Sequence, residues 1–198
     1  MVAQSTSDAT YVQLTLLLLA VFGMLYFFIG FCQGKIRRKV FNKEFMSQFN
    51  KEHQEAFGCD APVGGHPDNG NGYYADKLSY ADWYVFNNWQ RAHINFLETF
   101  APVVVMIAIT AINQPAIAAY SMAALIVGRL LYAIGYCKGG PKGRVVGAII
   151  TDLGLLAALV GAIWSLATWE TSDNISGNAK VLPISQEKFE SLFPAPAK

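Results

Sequence analysis

N-N-W-Q-R-A-H-I-N-F-L-E-T-F-A-P, residues Asn87–Pro102, is a polar helix start that runs directly into lipid-phase sequence. From Phe100 to Ile112 no residue carries a formal charge. With 3.6 residues per turn, Arg91, Asn95 and Glu98 fall at i, i+4 and i+7 on one face, and Asn88 lies one turn earlier. A cation, an amide and a carboxylate in one column are costly beside a bilayer unless they serve one another or a ligand. Two readings stay open at this point: an interhelical polar network and a ligand site.

The rest of the chain supplies the membrane. Of 198 residues, 53% are hydrophobic and only 15% charged, and the mean hydropathy is +0.29, too apolar for an ordinary soluble domain. A formal net charge of +1 argues against nucleic acid as a partner. Cys32, Cys59 and Cys137 have neither metal-ligand nor CxxC spacing, and His53, His66 and His93 share no ligand spacing, so no metal is expected. Nucleophile-elbow, Walker and dinucleotide motifs are absent, and G-G-P-K-G lacks the required frame.

After a polar N-terminus (1–10), Tyr11–Phe31 is uncharged and about 31 Å long as a helix, enough to cross a hydrocarbon core. No basic residue precedes it and a basic cluster follows it, which fits a cleaved signal peptide poorly. Beyond that cluster, Phe41, Phe45 and Phe49 recur at i, i+4 and i+8, predicting an amphipathic helix that continues the first span or lies at the interface and ends near Gly58. Residues 59–74 read as a turn-rich loop. Ser79 followed by Asp82 is a capping-box pattern, which starts the next helix near Tyr80 and lets it protrude before Asn87.

The expected architecture is an all-α integral membrane protein, a four-transmembrane-helix bundle of up-down topology. Its single membrane domain covers 11–169, with spans of about 11–31, 87–112, 115–136 and 145–169, an extended loop 32–86, and a polar tail 170–198. Lys35, Arg37, Arg38, Lys39, Lys43, Lys51 and Lys77 load the first loop, and Lys138, Lys142 and Arg144 the hairpin between spans three and four. By the positive-inside rule both face the cytosol, with the termini opposite. The tail holds one weakly amphipathic piece, Gln186–Phe193, and the sequon Asn174-Ile175-Ser176.

The third span carries Arg129, Tyr132 and Tyr136 at i, i+3 and i+7, with Arg144 at its polar end, and Gly128 and Gly135 share a sector suited to close helix approach. Taken with the second span, two polar columns open toward one face. N-x-x-R-A-H-x-N-x-x-E, followed by G-R-x-x-Y-x-x-G-Y and G-x-P-x-x-R, resembles the membrane-associated proteins in eicosanoid and glutathione metabolism, the MAPEG family, over roughly Asn87–Trp169.

That resemblance implies a homotrimer that binds glutathione between subunits near the cytosolic side and presents its thiolate to a lipophilic substrate from the bilayer. Carried over at matching positions, Arg91, His93, Asn95, Glu98, Tyr132, Tyr136 and Arg144 form the glutathione site, with Arg37 or Arg38 contributed by a neighbour's first helix. Arg144 is the implied thiolate partner and Tyr132 the alternative. Thr99 stands where the leukotriene-synthase branch has tyrosine. The family's setting implies the endoplasmic reticulum, with mitochondrial or other organelle membranes as alternatives. The rival reading is a non-catalytic scaffold or an accessory subunit of a larger membrane complex, touching membrane lipid and other chains.

Depth alone yields one more expectation. Arg129 and Asp152 lie nearly equidistant from the hairpin apex at Gly140, roughly 16–18 Å along antiparallel helices. A buried arginine and aspartate at one level have reason to pair, so Arg129–Asp152 is expected as a structural ion pair, with Glu98 the competing partner for Arg129.

Overall fold

The protein, described over residues 6–169 by a computed structural model, is helical throughout its regular elements. The elements are α1 (Thr6–Val40), α2 (Lys43–Ser47), α3 (Asn50–Phe57), a 3₁₀ turn (Ala75–Lys77), α4 (Tyr80–Asn113), α5 (Pro115–Gly143) and α6 (Val145–Ala167). The sequon at Asn174 and the Gln186–Phe193 piece lie outside the described residues.

Four of these helices, α1, α4, α5 and α6, are long and apolar enough to cross a membrane. Their outer surfaces are greasy: Met24 is 71% exposed and Phe27 75%, and Leu153 and Ile163 are comparably bare. Side chains of that kind face lipid, where exposure has no hydrophobic cost. Inside, Phe22, Phe96, Val103, Ile107, Met122 and Leu125 form the core shared by α1, α4 and α5.

Contact registers define how the helices pair. Phe22 meets Phe96 and Phe100, Tyr26 meets His93, and Gln33 bonds Gln90, so α1 and α4 run antiparallel. On α6, Gly147 lies against Tyr132, Thr151 against Gly128 and Gly154 against Leu125, an antiparallel register with α5. A Cβ on Gly128 would come within 2.6 Å of the Thr151 backbone nitrogen, so glycine here is what allows α5 and α6 their close approach. The far end is tied by Asn113, whose amide NH₂ donates to the Ser165 carbonyl at 2.9 Å.

The helix starts follow the local chemistry. Ser79 Oγ accepts from the Asp82 backbone N–H at 3.1 Å, and α4 begins at Tyr80 as the capping pattern requires. Pro115 occupies the first turn of α5, where its missing N–H leaves no gap. Helix α1 runs on through the basic cluster to Val40, about 52 Å in all. Neither α1 nor α4 stops at the edge of its apolar stretch.

Between those projections the structure departs from expectation. The Phe41–Phe49 stretch is not one interfacial helix. It breaks into α2, capped by the Asn42 side chain on the Phe45 N–H at 2.9 Å, and α3, which ends at Gly58 in the left-handed conformation with φ 72°. Its phenylalanines turn inward to a second core of Val40, Phe41, Met46, Phe49, Ala61, Ala75 and Phe86. Phe41 sits edge-on to Phe86 of α4, ring centroids 5.1 Å apart. Two buried phenylalanines, Phe41 and Phe49, with partly buried Phe45 beside them and a partner helix available, gain more from packing there than from lying in headgroups. The long loop is therefore a folded cap.

The turn-rich segment completes the cap around one carboxylate. Asp68 accepts from the backbone N–H of Gly70 at 2.7 Å, Gly72 at 3.0 Å and Ala75 at 2.8 Å. Trp83 Nε1 and the Asn87 amide NH₂, both on α4, each donate to the Gly70 carbonyl at 3.0 Å. Loop backbone that would otherwise be unpaired is thus satisfied.

Candidate functional site

An open cleft of about 350 Å³ lies where α4, α5 and the start of α6 meet. Its walls are Asn95, Thr99, Arg129, Tyr132 and Arg144 on the polar side, with Val145, Ala148, Ile149, Thr151 and Asp152 from α6. A second cavity of about 360 Å³ sits in the cap between Pro67 and Tyr74, but the Asp68 carboxylate there is already occupied by backbone amides. The first cleft is the one that gathers cationic, amide and phenol side chains from two helices and their hairpin.

Arg144 reaches the cleft because the α5–α6 connection is folded tightly. Gly140 takes φ 63°, ψ −152°, a backbone conformation open only to glycine, and its Cα faces the Tyr84 hydroxyl so closely that no Cβ fits. Gly135 and Gly143 meet backbone to backbone below it. The chain then delivers Arg144 back onto α5, where Nη1 donates to the Tyr132 hydroxyl at 2.8 Å. The guanidinium also lies over the Tyr132 ring at 5.7 Å and the Tyr136 ring at 5.3 Å. Its hydrogen bond to Tyr132, reinforced by the charge interaction with the two phenols, holds Arg144 above the ordinary arginine range, so it is a cation at every working pH.

Deeper in the cleft stands Arg129, only 3% exposed. Its Nη1 donates to Asn95 Oδ1 at 2.7 Å, its Nη2 donates to Thr99 Oγ1, and Nε is buried without a partner. Phe96 and Tyr132 present ring faces to it at 5.3 and 5.7 Å. The expected Arg129–Asp152 ion pair does not form. The depth reasoning was sound, since both residues line one cleft, but Arg129 turns toward α4 and finds neutral oxygens and aromatic faces, while Asp152 stays exposed on the opposite wall. Glu98 is not the hydrogen-bond partner either. Rotation about the helix axis, which depth cannot specify, decided the outcome.

Of the residues singled out by sequence, Asn95, Tyr132 and Arg144 line the cleft, and Tyr136 is buried directly behind Arg144. Arg91 and Glu98 are exposed on the outer surface of α4, and Arg38 is exposed at the end of α1. Two others turn elsewhere. His93 stacks on Tyr26 of α1, centroids 5.0 Å apart, and lies against Gly30. Arg37 is buried in the cap root, its Nη1 donating to the carbonyls of Asp68 at 2.7 Å and Gly64 at 3.2 Å, with Phe86 beneath it. Within one chain, then, His93 and Arg37 hold α1, α4 and the cap together. Thr99 and Arg129 line the cleft as well: the sequence puts Arg129 in one column with Tyr132 and Tyr136 but points it to a structural pairing with Asp152, and marks Thr99 only as a departure from the leukotriene-synthase branch. Their spacing was available: Thr99 is one turn beyond Asn95, and Arg129 one turn before Tyr132.

No solved structure matches the chain. The model of the MAPEG family matches residues 14–164, a stretch that takes in the cap, the cleft and most of each of the four apolar helices. With most of its length inside that match, the chain belongs to the MAPEG family.

Proposed function

We propose that the protein is a glutathione-dependent membrane transferase with peroxidase capacity, akin to the type-3 microsomal glutathione transferases. The family includes glutathione transferases and peroxidases. The single observation that carries the reading is Arg144 at the cleft mouth, donating to the Tyr132 hydroxyl at 2.8 Å and free of any carboxylate partner among the described residues. A thiol ordinarily ionises near pH 8.5 and reacts as its thiolate. A permanent cation at the mouth lowers that pKa by favouring the anion. The thiolate attacks the electrophilic carbon of a lipophilic substrate, the new C–S bond forms, and the leaving group departs with its electron pair. With a lipid hydroperoxide, the thiolate attacks the outer oxygen, the O–O bond breaks, the sulfur becomes a sulfenic acid, and the alkoxide takes up a proton and leaves as the alcohol. A second glutathione then gives the disulfide and water.

In this reading the functional unit is a homotrimer of up-down four-helix bundles in the endoplasmic reticulum membrane, with both basic loops cytosolic. The cleft is open on one side, and Arg91 and Glu98, with Arg38 of a neighbour, are exposed and available to close a glutathione site between subunits. Arg144 is the catalytic residue, and Tyr132 assists it. The test is a conjugation assay with glutathione and a hydrophobic electrophile on purified protein, together with mass measurement in mild detergent. Turnover by a trimer is expected, and a monomer with intact glutathione affinity overturns the intersubunit site.

A second reading has its own observation. The cap has a separate core and presents Phe57, Tyr73 and Tyr80 to solvent, a surface suited to another chain. In that case the protein is a non-catalytic MAPEG scaffold or accessory subunit. Glutathione binding without turnover distinguishes it.

A further inference from the structure

Helices α4 and α5 keep one antiparallel register from the cleft up to the hairpin. On the lower rung Arg129 meets Asn95; on the upper rung, 11 residues away along each helix, Gly140 meets Tyr84. The rungs are about 16 Å apart, and Arg144 lies just past the upper one. The hairpin is held at two places. Gly135 and Gly143 close its neck backbone to backbone, and Tyr84 covers its apex. Alone among residues 138–143, Gly140 is buried. The three heavy atoms nearest a Cβ placed on it all belong to Tyr84, with Cζ at 3.2 Å and Cε1 at 3.6 Å behind the hydroxyl. The chain leaves the helix there with φ 63°, and Pro141 has no N–H with which to tie the turn down. Tyr84 is fixed from its own side as well. Ser79 caps α4, and Tyr80 stacks on the Tyr84 ring with centroids 5.9 Å apart. Trp83, Phe86 and Asn87 turn instead to the cap, so Tyr84 is the residue of these turns that faces the hairpin.

We propose that Tyr84 is a positioning residue: its ring clamps the hairpin apex at Gly140 and thereby sets where the Arg144 guanidinium meets Tyr132. Arg144 has one hydrogen bond of its own, to the Tyr132 hydroxyl at 2.8 Å, so its place in the cleft is otherwise decided by the backbone that delivers it. A swing of the apex moves the cation relative to whatever is bound at the mouth. Opposite charge favours an anion more strongly the nearer it stands, and the clamp therefore acts on the thiolate through Arg144 without touching it. That a thiol is the group acted on rests on the glutathione reading above, whereas the clamp on the hairpin does not.

Tyr84→Ala in the full chain removes the ring and leaves Arg144 and Tyr132 in place. Hydrogen exchange of the ligand-free protein should quicken in the stretch 138–148, because the turn opens more often. The bound thiol's pKa should rise and the pH–rate profile move to higher pH, with kcat falling about tenfold and KM changing little. Tyr84→Phe keeps the ring and should restore all of these. Action through Arg144 also predicts non-additivity: Tyr84→Ala combined with Arg144→Ala should lose no more turnover than Arg144→Ala alone. A merely structural role lowers the melting temperature, leaves the thiol pKa of the folded fraction unmoved, and adds its loss to that of Arg144→Ala. An unmoved thiol pKa with turnover within twofold of wild type in folded Tyr84→Ala protein overturns the proposal, as do additive losses. Should Tyr84→Ala fail to fold, Tyr84→Leu, apolar but too short to reach the apex, is judged by the same criteria. If wild type neither binds nor turns over glutathione the functional reading fails, and exchange then decides the clamp by itself: unchanged rates over 138–148 overturn it.

Discussion

Two arginines are buried in this chain to nearly the same degree, Arg37 at 5% exposure under the cap and Arg129 at 3% in the cleft. Their surroundings differ in kind. Arg37 donates mainly to backbone carbonyls of a loop that has nowhere else to put them, and rests on Phe86. Arg129 donates to two side chains on α4, keeps one buried N–H without a partner, and borders open space. The first arrangement holds a fold together, and the second is poised to meet something else. Burial by itself does not tell a structural arginine from a functional one; the partners do.

The comparison breaks most visibly on the cap side. Phe41→Ala empties the centre of the cap core, where Phe41 is fully buried against Phe86, and should cost about 3–5 kcal/mol, read as a lowered unfolding midpoint and early proteolysis between residues 58 and 78. Glutathione thiolate formation in the surviving folded protein should be unchanged. If cleft chemistry falls in proportion to cap stability, the two regions are not separate.

On the cleft side Arg144→Ala should do the opposite. Turnover is expected to drop by about a hundredfold, comparable to losing one preorganised electrostatic contact, with little change in melting temperature because the half-buried Arg144 side chain makes a single hydrogen bond, to Tyr132. The sign of the pH effect is fixed: without the cation the thiolate is less favoured, the bound thiol's pKa rises, and the pH–rate profile moves to higher pH. Bound-thiolate absorbance against pH checks this. An unmoved profile passes the role to Tyr132.

The smallest effect sharpens the boundary between them. Asp152 is exposed and makes no hydrogen bond to Arg129, so Asp152→Asn should change stability by within about 0.5 kcal/mol. A loss of several times that in unfolding experiments would mean that Arg129 depends on Asp152 after all.

How legible all this was varied with the physics involved. The four long helices, the start of α4 at Tyr80 and the tight connection at Gln114 follow from hydropathy, one capping pair and one proline, which are local signals. The meeting of Asn95, Tyr132 and Arg144 in one cleft agrees with their spacing on two helices joined by one hairpin. The cap was not legible, because Phe41, Phe45 and Phe49 have the period of an amphipathic helix whether they face lipid or a protein partner. Asp68, the residue that organises the cap loop, carried no pattern at all, since its three backbone partners are created by the loop it folds.

The sequence by itself determined the four long apolar helices, the starts of α4 and α5, and the relative level of residues along each helix, because those depend on local propensity and on rise along one axis. Only the tertiary structure decided which way each polar side chain turns. His93 and Arg37 turned toward α1, α4 and the cap, and Arg129 turned toward Asn95 and Thr99 when its depth suited Asp152 equally well. Rotation about a helix axis is set by how neighbouring helices pack. Here that packing rests on contacts such as Gly128 against Thr151 and Gly147 against Tyr132, between residues far apart in the chain.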